Sequence, residues 1–141
     1  MKILLSFCII AGLLFTAAAC SQKETMVLLD EKISEINLSK SNGTGEMNEE
    51  ILLSIKDQES IRIFEQAITS AVKQSGTPKM PMPDYDAAVH YKADVPPHAL
   101  HFWLGEQGRQ STFMYVTDDD AVYLTSAKMT EKLRELMADQ K

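Results

Sequence analysis

Residues 85–92 read YDAAVHYK, and this stretch determines how the rest of the chain is interpreted. Tyr, Ala, Val and Tyr occupy the odd positions, while Asp, Ala, His and Lys occupy the even positions. Because successive side chains of a strand point to opposite faces, the alternation predicts a β-strand with one face in a hydrophobic core. The domain is therefore expected to be built around a sheet.

Further strands are predicted on the carboxyl-terminal side of this one, at residues 99–105, 112–117 and 121–125. The run Asp118-Asp119-Asp120 is interpreted as the tight turn between the last two. Short connections between consecutive strands favour antiparallel pairing.

Two more strands and a helix are predicted on the amino-terminal side. Alternating apolar residues indicate strands at 33–40 and 51–56, separated by a turn-forming stretch. Asp57 is a suitable N-cap for a helix over residues 58–74, whose apolar residues recur at helical spacing. Residues 75–84 contain three prolines and are expected to form a loop.

A second helix closes the predicted domain. Ser126 or Thr125 can cap it, and Glu131 is placed to pair with Arg134 on its surface. The fold class is thus α+β, a mainly antiparallel sheet of about five to six strands with two helices packed on one face, in the order β-β-α-β-β-β-β-α. The opposite face would lie partly in water.

The amino-terminal residues predict an export signal. Met1-Lys2 precedes an apolar run that is too short to span a bilayer comfortably, and Ala17-Ala18-Ala19 precedes Cys20. The pattern resembles a lipoprotein signal, with cleavage between Ala19 and Cys20 and a lipid on the Cys20 thiol. The predicted organisation is a signal peptide at 1–19, a lipidated cysteine and tether at 20–32, and one domain at 33–141. Residues 26–29 (MVLL) interrupt the polar tether, and an edge strand and simple packing on the domain are both open.

Composition limits the chemistry of the exported chain. The full sequence has 141 residues, a net charge of −6 and two cysteines, of which Cys8 would leave with the signal. Lipidation of Cys20 would leave no thiol for a disulfide, a nucleophile or a metal site. An acidic domain without a basic cluster is a poor nucleic-acid binder.

The sequence resembles the YhfM-like lipoproteins of Bacillus and related Gram-positive bacteria over about residues 33–137. The matching motifs are Pro83-Asp84-Tyr85-Asp86, Val89-His90-Tyr91, His101-Phe102-Trp103-Leu104-Gly105, residues 119–124 and Leu133-Arg134-Glu135-Leu136. The resemblance implies a small lipoprotein on the extracytoplasmic face of the cell membrane. It implies no catalytic residues.

Three side chains are candidates for a recognition face. His90, His101 and Trp103 are predicted on the side of the sheet away from the helices. An exposed tryptophan beside histidines is typical of a binding surface, although Trp103 is equally well explained as core. Two histidines with Asp86 could hold a metal, but solvated histidines explain the pattern better, and no metal site or cofactor is predicted.

Carboxylates provide the remaining candidates. Asp118-Asp119-Asp120 lacks the other ligands and the glycine of a calcium loop. Asp84, Asp86 and His90 could supply an acid and a base for an envelope hydrolase, whereas a turn-capping Asp84 and an exposed Asp86 are simpler. No catalytic residue is predicted.

The sequence therefore favours a non-enzymatic, lipid-anchored interaction module that binds an envelope protein or a wall component. The alternative is a small-ligand or metal-binding lipoprotein that uses the face of His90, His101 and Trp103. An envelope hydrolase is the third hypothesis.

Overall fold

A computed structural model describes residues 21–76 and 78–139 of the protein. In chain order its elements are β1 (Ile33–Lys40), β2 (Ile51–Ile55), α1 (Gln58–Thr69), β3 (Val72–Lys73), β4 (Tyr85–Tyr91), β5 (His98–Trp103), β6 (Thr112–Tyr115), β7 (Asp118–Leu124) and α2 (Ala127–Asp139).

The strands form one seven-stranded sheet in the order β2-β1-β4-β5-β6-β7-β3. Every neighbouring pair is antiparallel. The α+β class with a mainly antiparallel sheet and two helices is confirmed. The sheet contains one strand more than the upper number predicted, and that strand is β3.

Strand β3 occupies the end of the predicted first helix. The helix stops at Thr69, where Ser70 caps it, so the prediction of a helix to residue 74 is wrong. Val72 and Lys73 instead pair with Leu124 and Tyr123 on the edge of β7. Hydrogen bonds to an open sheet edge replace those of one further helical turn, and β-branched Val72 favours the extended state.

The aspartate run also lies elsewhere than predicted. Val116 and Thr117 form the turn, and Tyr115 pairs with Asp118 across it. Residues 118–120 are the exposed beginning of β7, so the turn prediction for them is wrong. A register shift between Met114 and Tyr115 lets the hairpin close two residues earlier than composition indicates.

An aromatic cluster joins the helices to the sheet. Phe64 of α1 meets Phe102 and Phe113 edge-on, with ring centroids 5.6 and 6.5 Å away. The two sheet phenylalanines are stacked at 4.8 Å. All three side chains are fully buried, and Leu133 of α2 belongs to the same core. Edge-to-face and offset contacts add to the stabilisation from apolar burial.

Residues 24–29, which we call the strap, pack on the domain. Lys73 donates its backbone N–H to the carbonyl of Glu24 (2.8 Å), and Thr25 forms an isolated bridge with Val72. Met26 is buried in the main core. The packed chain therefore begins before the predicted domain boundary at residue 33, and this part of the predicted tether is not a free linker.

Two tyrosines hold the strap in place. The Tyr115 hydroxyl accepts a hydrogen bond from the N–H of Val27 and donates one to its carbonyl, both at 2.7 Å. The Tyr91 hydroxyl accepts from the N–H of Leu29 (3.3 Å) and lies 2.6 Å from His98 Nδ1. Burial raises the pKa of Tyr91 and Tyr115 and lowers the pKa of His98.

The lowered pKa of His98 predicts a pH-dependent stability. In the unfolded chain a histidine titrates near its ordinary pKa of about 6.5, above its value in the folded protein. As pH falls through about 6.5 the unfolded state takes up the proton first, so stability falls until pH passes below the folded pKa. We expect His98→Gln to reduce the loss of unfolding free energy between pH 7.5 and pH 5.5, measured by urea denaturation. His90→Gln is the control, and equal pH profiles for wild type and His98→Gln would contradict the assignment.

Candidate functional site

The predicted recognition face is largely covered. His90, His101 and Trp103 do lie on the face without helices, since Asp86 pairs with His101 and Ala88 with Ala99. His101 is 0% exposed and Trp103 only 7% exposed, whereas His90 is half-buried. The expectation of solvated side chains here is therefore wrong for His101 and for Asp86, both 0% exposed, while of the two alternatives left open for Trp103 the structure shows the core one.

The loop between β1 and β2 covers the Asp86–His101 pair. His101 Nδ1 lies 2.8 Å from Asp86 Oδ1. The other oxygen of Asp86 accepts from the backbone N–H of Asn48 (2.8 Å), and His101 Nε2 accepts from the N–H of Gly45 (3.1 Å). Gly45 has φ +92°, a conformation that favours glycine, and this bend aims its N–H at the ring.

The loop before β4 covers the neighbouring tryptophan. Trp103 Nε1 donates to the carbonyl of Pro81 (3.0 Å). Met80 packs against a small second core of Trp103, Met114 and Val122. We call the region of Asp86, His101 and Trp103 beneath these two loops the sealed end of the sheet.

These contacts fix the chemistry of the buried pair. A backbone N–H can only donate, so Nε2 of His101 carries the lone pair and the proton lies on Nδ1, which donates to Asp86. Every polar position of the imidazole is then satisfied inside the protein. In this arrangement His101 has no free lone pair within reach of an external substrate, as a general base would require. The pair holds the covering loop.

The remaining sequence candidates are dispersed. Asp84 Oδ2 accepts from the N–H of Leu104 (2.9 Å), and Asp118, Asp119 and Asp120 are exposed at the start of β7. Within residues 21–76 and 78–139, no group of three or more His, Cys, Asp or Glu side chains is arranged to hold a metal.

Ala19 and Cys20 lie outside the described residues. In the part of the chain that the structure describes, no helix has the length and apolar character needed to cross a membrane.

An apolar cleft that the sequence did not reveal lies on the opposite face of the sheet. It has a volume of about 450 Å³ and opens between the end of α2 and strands β1 and β2. Its lining residues are Leu38, Leu52, Leu53, Tyr85, Leu104, Arg134, Met137 and Ala138. The available signal was the uninterrupted run Ile51-Leu52-Leu53, which breaks the alternation expected of a half-buried strand.

Two cations flank the cleft. Arg134 Nη1 donates to the carbonyl of Gly105 (3.1 Å), while Glu131 accepts from the N–H of Gly108 (2.8 Å). In the structure both side chains bind the β5–β6 loop, so the predicted pairing of Glu131 with Arg134 is wrong. The N–H of Gly108 and the carbonyl of Gly105 bind the two side chains separately. Lys40 Nζ lies 4.7 Å from the ring centroid of Tyr85.

Comparisons with known proteins give a family and a fold. The family model described as "YhfM protein" matches residues 29–141. A search of curated proteins found no match. A crystal structure of a thioesterase-like protein from Clostridium sporogenes is similar, with a TM-score of 0.59, 18% sequence identity and coverage of 74% of this chain and 93% of that chain. At this identity the likeness shows the fold alone.

Because His101 is buried and hydrogen-bonded at the sealed end, its replacement is expected to reduce the stability of the protein strongly. Replacing His101 with Leu leaves the carboxylate of Asp86 buried without its partner and removes the acceptor for Gly45. We expect the free energy of unfolding to fall by about 3 kcal/mol or more. Urea denaturation followed by Trp103 fluorescence measures this loss. The rings of His101 and Trp103 are 6.4 Å apart, so the tryptophan reports on unfolding around the substituted residue.

Two control variants distinguish the loss of the buried Asp86–His101 pair from the general effect of replacing a histidine with leucine. His90→Leu, on the half-buried part of the same face, should cost less than about 1 kcal/mol. Replacing both Asp86 and His101 with Leu should recover part of the loss, since no charge remains unpaired. Equal effects of His101→Leu and His90→Leu would contradict the role of the pair.

Proposed function

This chain belongs to the YhfM family, and we propose that it is a membrane-anchored extracytoplasmic lipoprotein that binds a small anionic amphipathic molecule without transforming it. The observation that carries the proposal is the apolar cleft with Arg134 and Lys40 beside it. The apolar part of the ligand would occupy the cleft, and its charged end would meet the cations.

The amino-terminal sequence supports the anchor. Cys20 follows an apolar run and three alanines, the order that export and lipidation require. Two or more acyl chains hold a protein stably on a bilayer. A lipid on Cys20 would also account for a cysteine at the first position after the predicted cleavage site.

The cleft supports binding of an apolar group. Its volume lies within the range of small-molecule sites, and leucine, methionine and tyrosine side chains dominate its lining. Leu38 at its floor is fully buried, whereas Leu52 at its mouth is 65% exposed. Covering such surfaces with an alkyl chain gains roughly 25 cal/mol for each Å² removed from water.

The cations define the charge of the ligand. The ion pairs among the described residues do not involve Arg134 or Lys40. Arg134 uses one N–H for Gly105 and retains others for a carboxylate, phosphate or sulfate group. A negatively charged head group is therefore favoured over a neutral or cationic one.

The arrangement of polar groups favours binding over catalysis. Asp86 and His101 are sealed beneath a loop, and Asp84 accepts a backbone hydrogen bond. In the described part of the cleft, Tyr85 and Arg134 are the polar side chains of the lining. Neither is a customary hydrolytic nucleophile, so the likeness to a thioesterase-like protein supports a shared fold rather than a shared reaction.

A protein partner is the second candidate, because β2 is an edge strand whose Ile51 and Leu52 are exposed. An extended segment of a partner could add to this edge. Photo-crosslinking from position 52 in cells tests it. A reproducible protein adduct would support this second function.

Calorimetric titration with decanoate and with decanol tests the main proposal. We expect decanoate to bind more tightly, and Arg134→Gln to weaken decanoate about 5- to 10-fold, or about 1 kcal/mol, while leaving decanol unchanged. Arg109→Gln, which removes an exposed arginine of the β5–β6 loop, is the matched control.

Two results would overturn this assignment. One is an absence of binding by either compound to a folded protein. The other is an equal loss of decanoate affinity in Arg134→Gln and Arg109→Gln, which would show that only the overall charge of the protein matters. Thermal melts of both variants confirm that the fold is retained.

A further inference from the structure

We infer that the strap edge of the domain rests on the membrane through Val27 and Leu29, with the ligand cleft held away from the bilayer. The inference rests on the lipid anchor of the proposed function. It assigns a lipid-contacting surface and gives the domain one orientation, which an anchor alone does not provide.

The distance along the chain from Cys20 to the sheet is short. Glu24 accepts a hydrogen bond from Lys73 and Thr25 bridges Val72, so the chain is fixed to β3 from residue 24 onward. Four residue steps from Cys20 to Glu24 extend at most about 14 Å. A lipid on Cys20 would therefore keep the β3 edge within about that distance of the bilayer surface.

From β3 the strap continues past the ends of β6 and β4, where Tyr115 and Tyr91 bind it, and it presents apolar side chains outward. Val27 is 68% exposed and Leu29 is 42% exposed. The Tyr115 and Tyr91 hydroxyls bind their backbone groups, so Val27 and Leu29 are held in place rather than free to fold inward. Apolar side chains held beside a lipid anchor can insert into the boundary between head groups and acyl chains.

The charges near the strap indicate apolar rather than electrostatic contact. Glu24 and Lys73 neutralise each other in an ion pair at 3.0 Å. Asp118, which pairs with Tyr115, begins a run of three exposed aspartates. These carboxylates would oppose an anionic surface, so a zwitterionic bilayer suits this edge best.

The cleft lies away from the strap in two directions. Its Tyr85 begins β4, whereas Tyr91, which binds the strap, ends the same strand, and the cleft borders the sheet edge opposite β3. Strands β3 and β2 are the two edge strands of the sheet, and β2 borders the cleft. Six inter-strand spacings separate them. At about 4.8 Å per spacing the separation along the sheet is roughly 25–30 Å. The cleft would then receive its ligand from the aqueous side rather than from the bilayer that holds the anchor.

Site-specific fluorescence on the lipidated protein, from which the signal has been cleaved, in phosphatidylcholine vesicles tests the orientation. A lipidated Cys20 leaves no thiol, so Val27→Cys and Leu52→Cys can each carry one environment-sensitive fluorophore. The two positions are matched in exposure, at 68% and 65%. We expect brominated phosphatidylcholine to quench the label at position 27 at least threefold more than the label at position 52.

Three outcomes decide the inference. Preferential quenching at position 27, repeated with Leu29→Cys, supports it. Equal quenching, or stronger quenching at position 52, in protein that floats with the vesicles overturns the orientation and leaves the anchor intact. Protein that fails to float, with Cys20 reactive to a thiol reagent, overturns the anchor itself and the orientation with it.

Discussion

The buried Asp86–His101 pair constrains the helix-free face of this protein. A carboxylate and an imidazole with no exposure to solvent require hydrogen-bond partners, and the backbone N–H groups of Gly45 and Asn48 supply them. The loop between β1 and β2 must therefore lie over the sheet. A surface that alternation alone would leave in water becomes an interior, and Trp103 is buried beside it.

Much of the fold was predictable because its signals are local. The strands at residues 33–40 and 85–91 follow from alternation, and Ser126 accepts the hydrogen bond from Met129 that an N-cap should accept. Strand β3 was not predictable in this way. Its two residues have no pattern of their own and become a strand only by pairing with residues 123 and 124, about fifty positions later.

The site was less predictable, for the same physical reason. Alternation places His90, His101 and Trp103 on one face, but exposure depends on what lies above them. Gly45, which covers His101, is 56 residues away in sequence. The cleft likewise combines side chains from β1, β2, the start of β4, the residue after β5 and α2, so no single stretch of sequence indicates it. With the helix-free face sealed at one end, the cleft on the other side is the better candidate for ligand binding.

Amide chemical-shift mapping of the domain during titration with decanoate tests most directly whether the cleft, rather than the sealed end, binds the ligand. We predict shifts at Leu53, Leu104 and Met137 around the cleft, with the amides of Gly45 and Asn48 and the indole of Trp103 unchanged. Shifts concentrated at Gly45, Asn48 and Trp103 would show that the sealed end opens to bind the ligand and would contradict the assignment of the cleft.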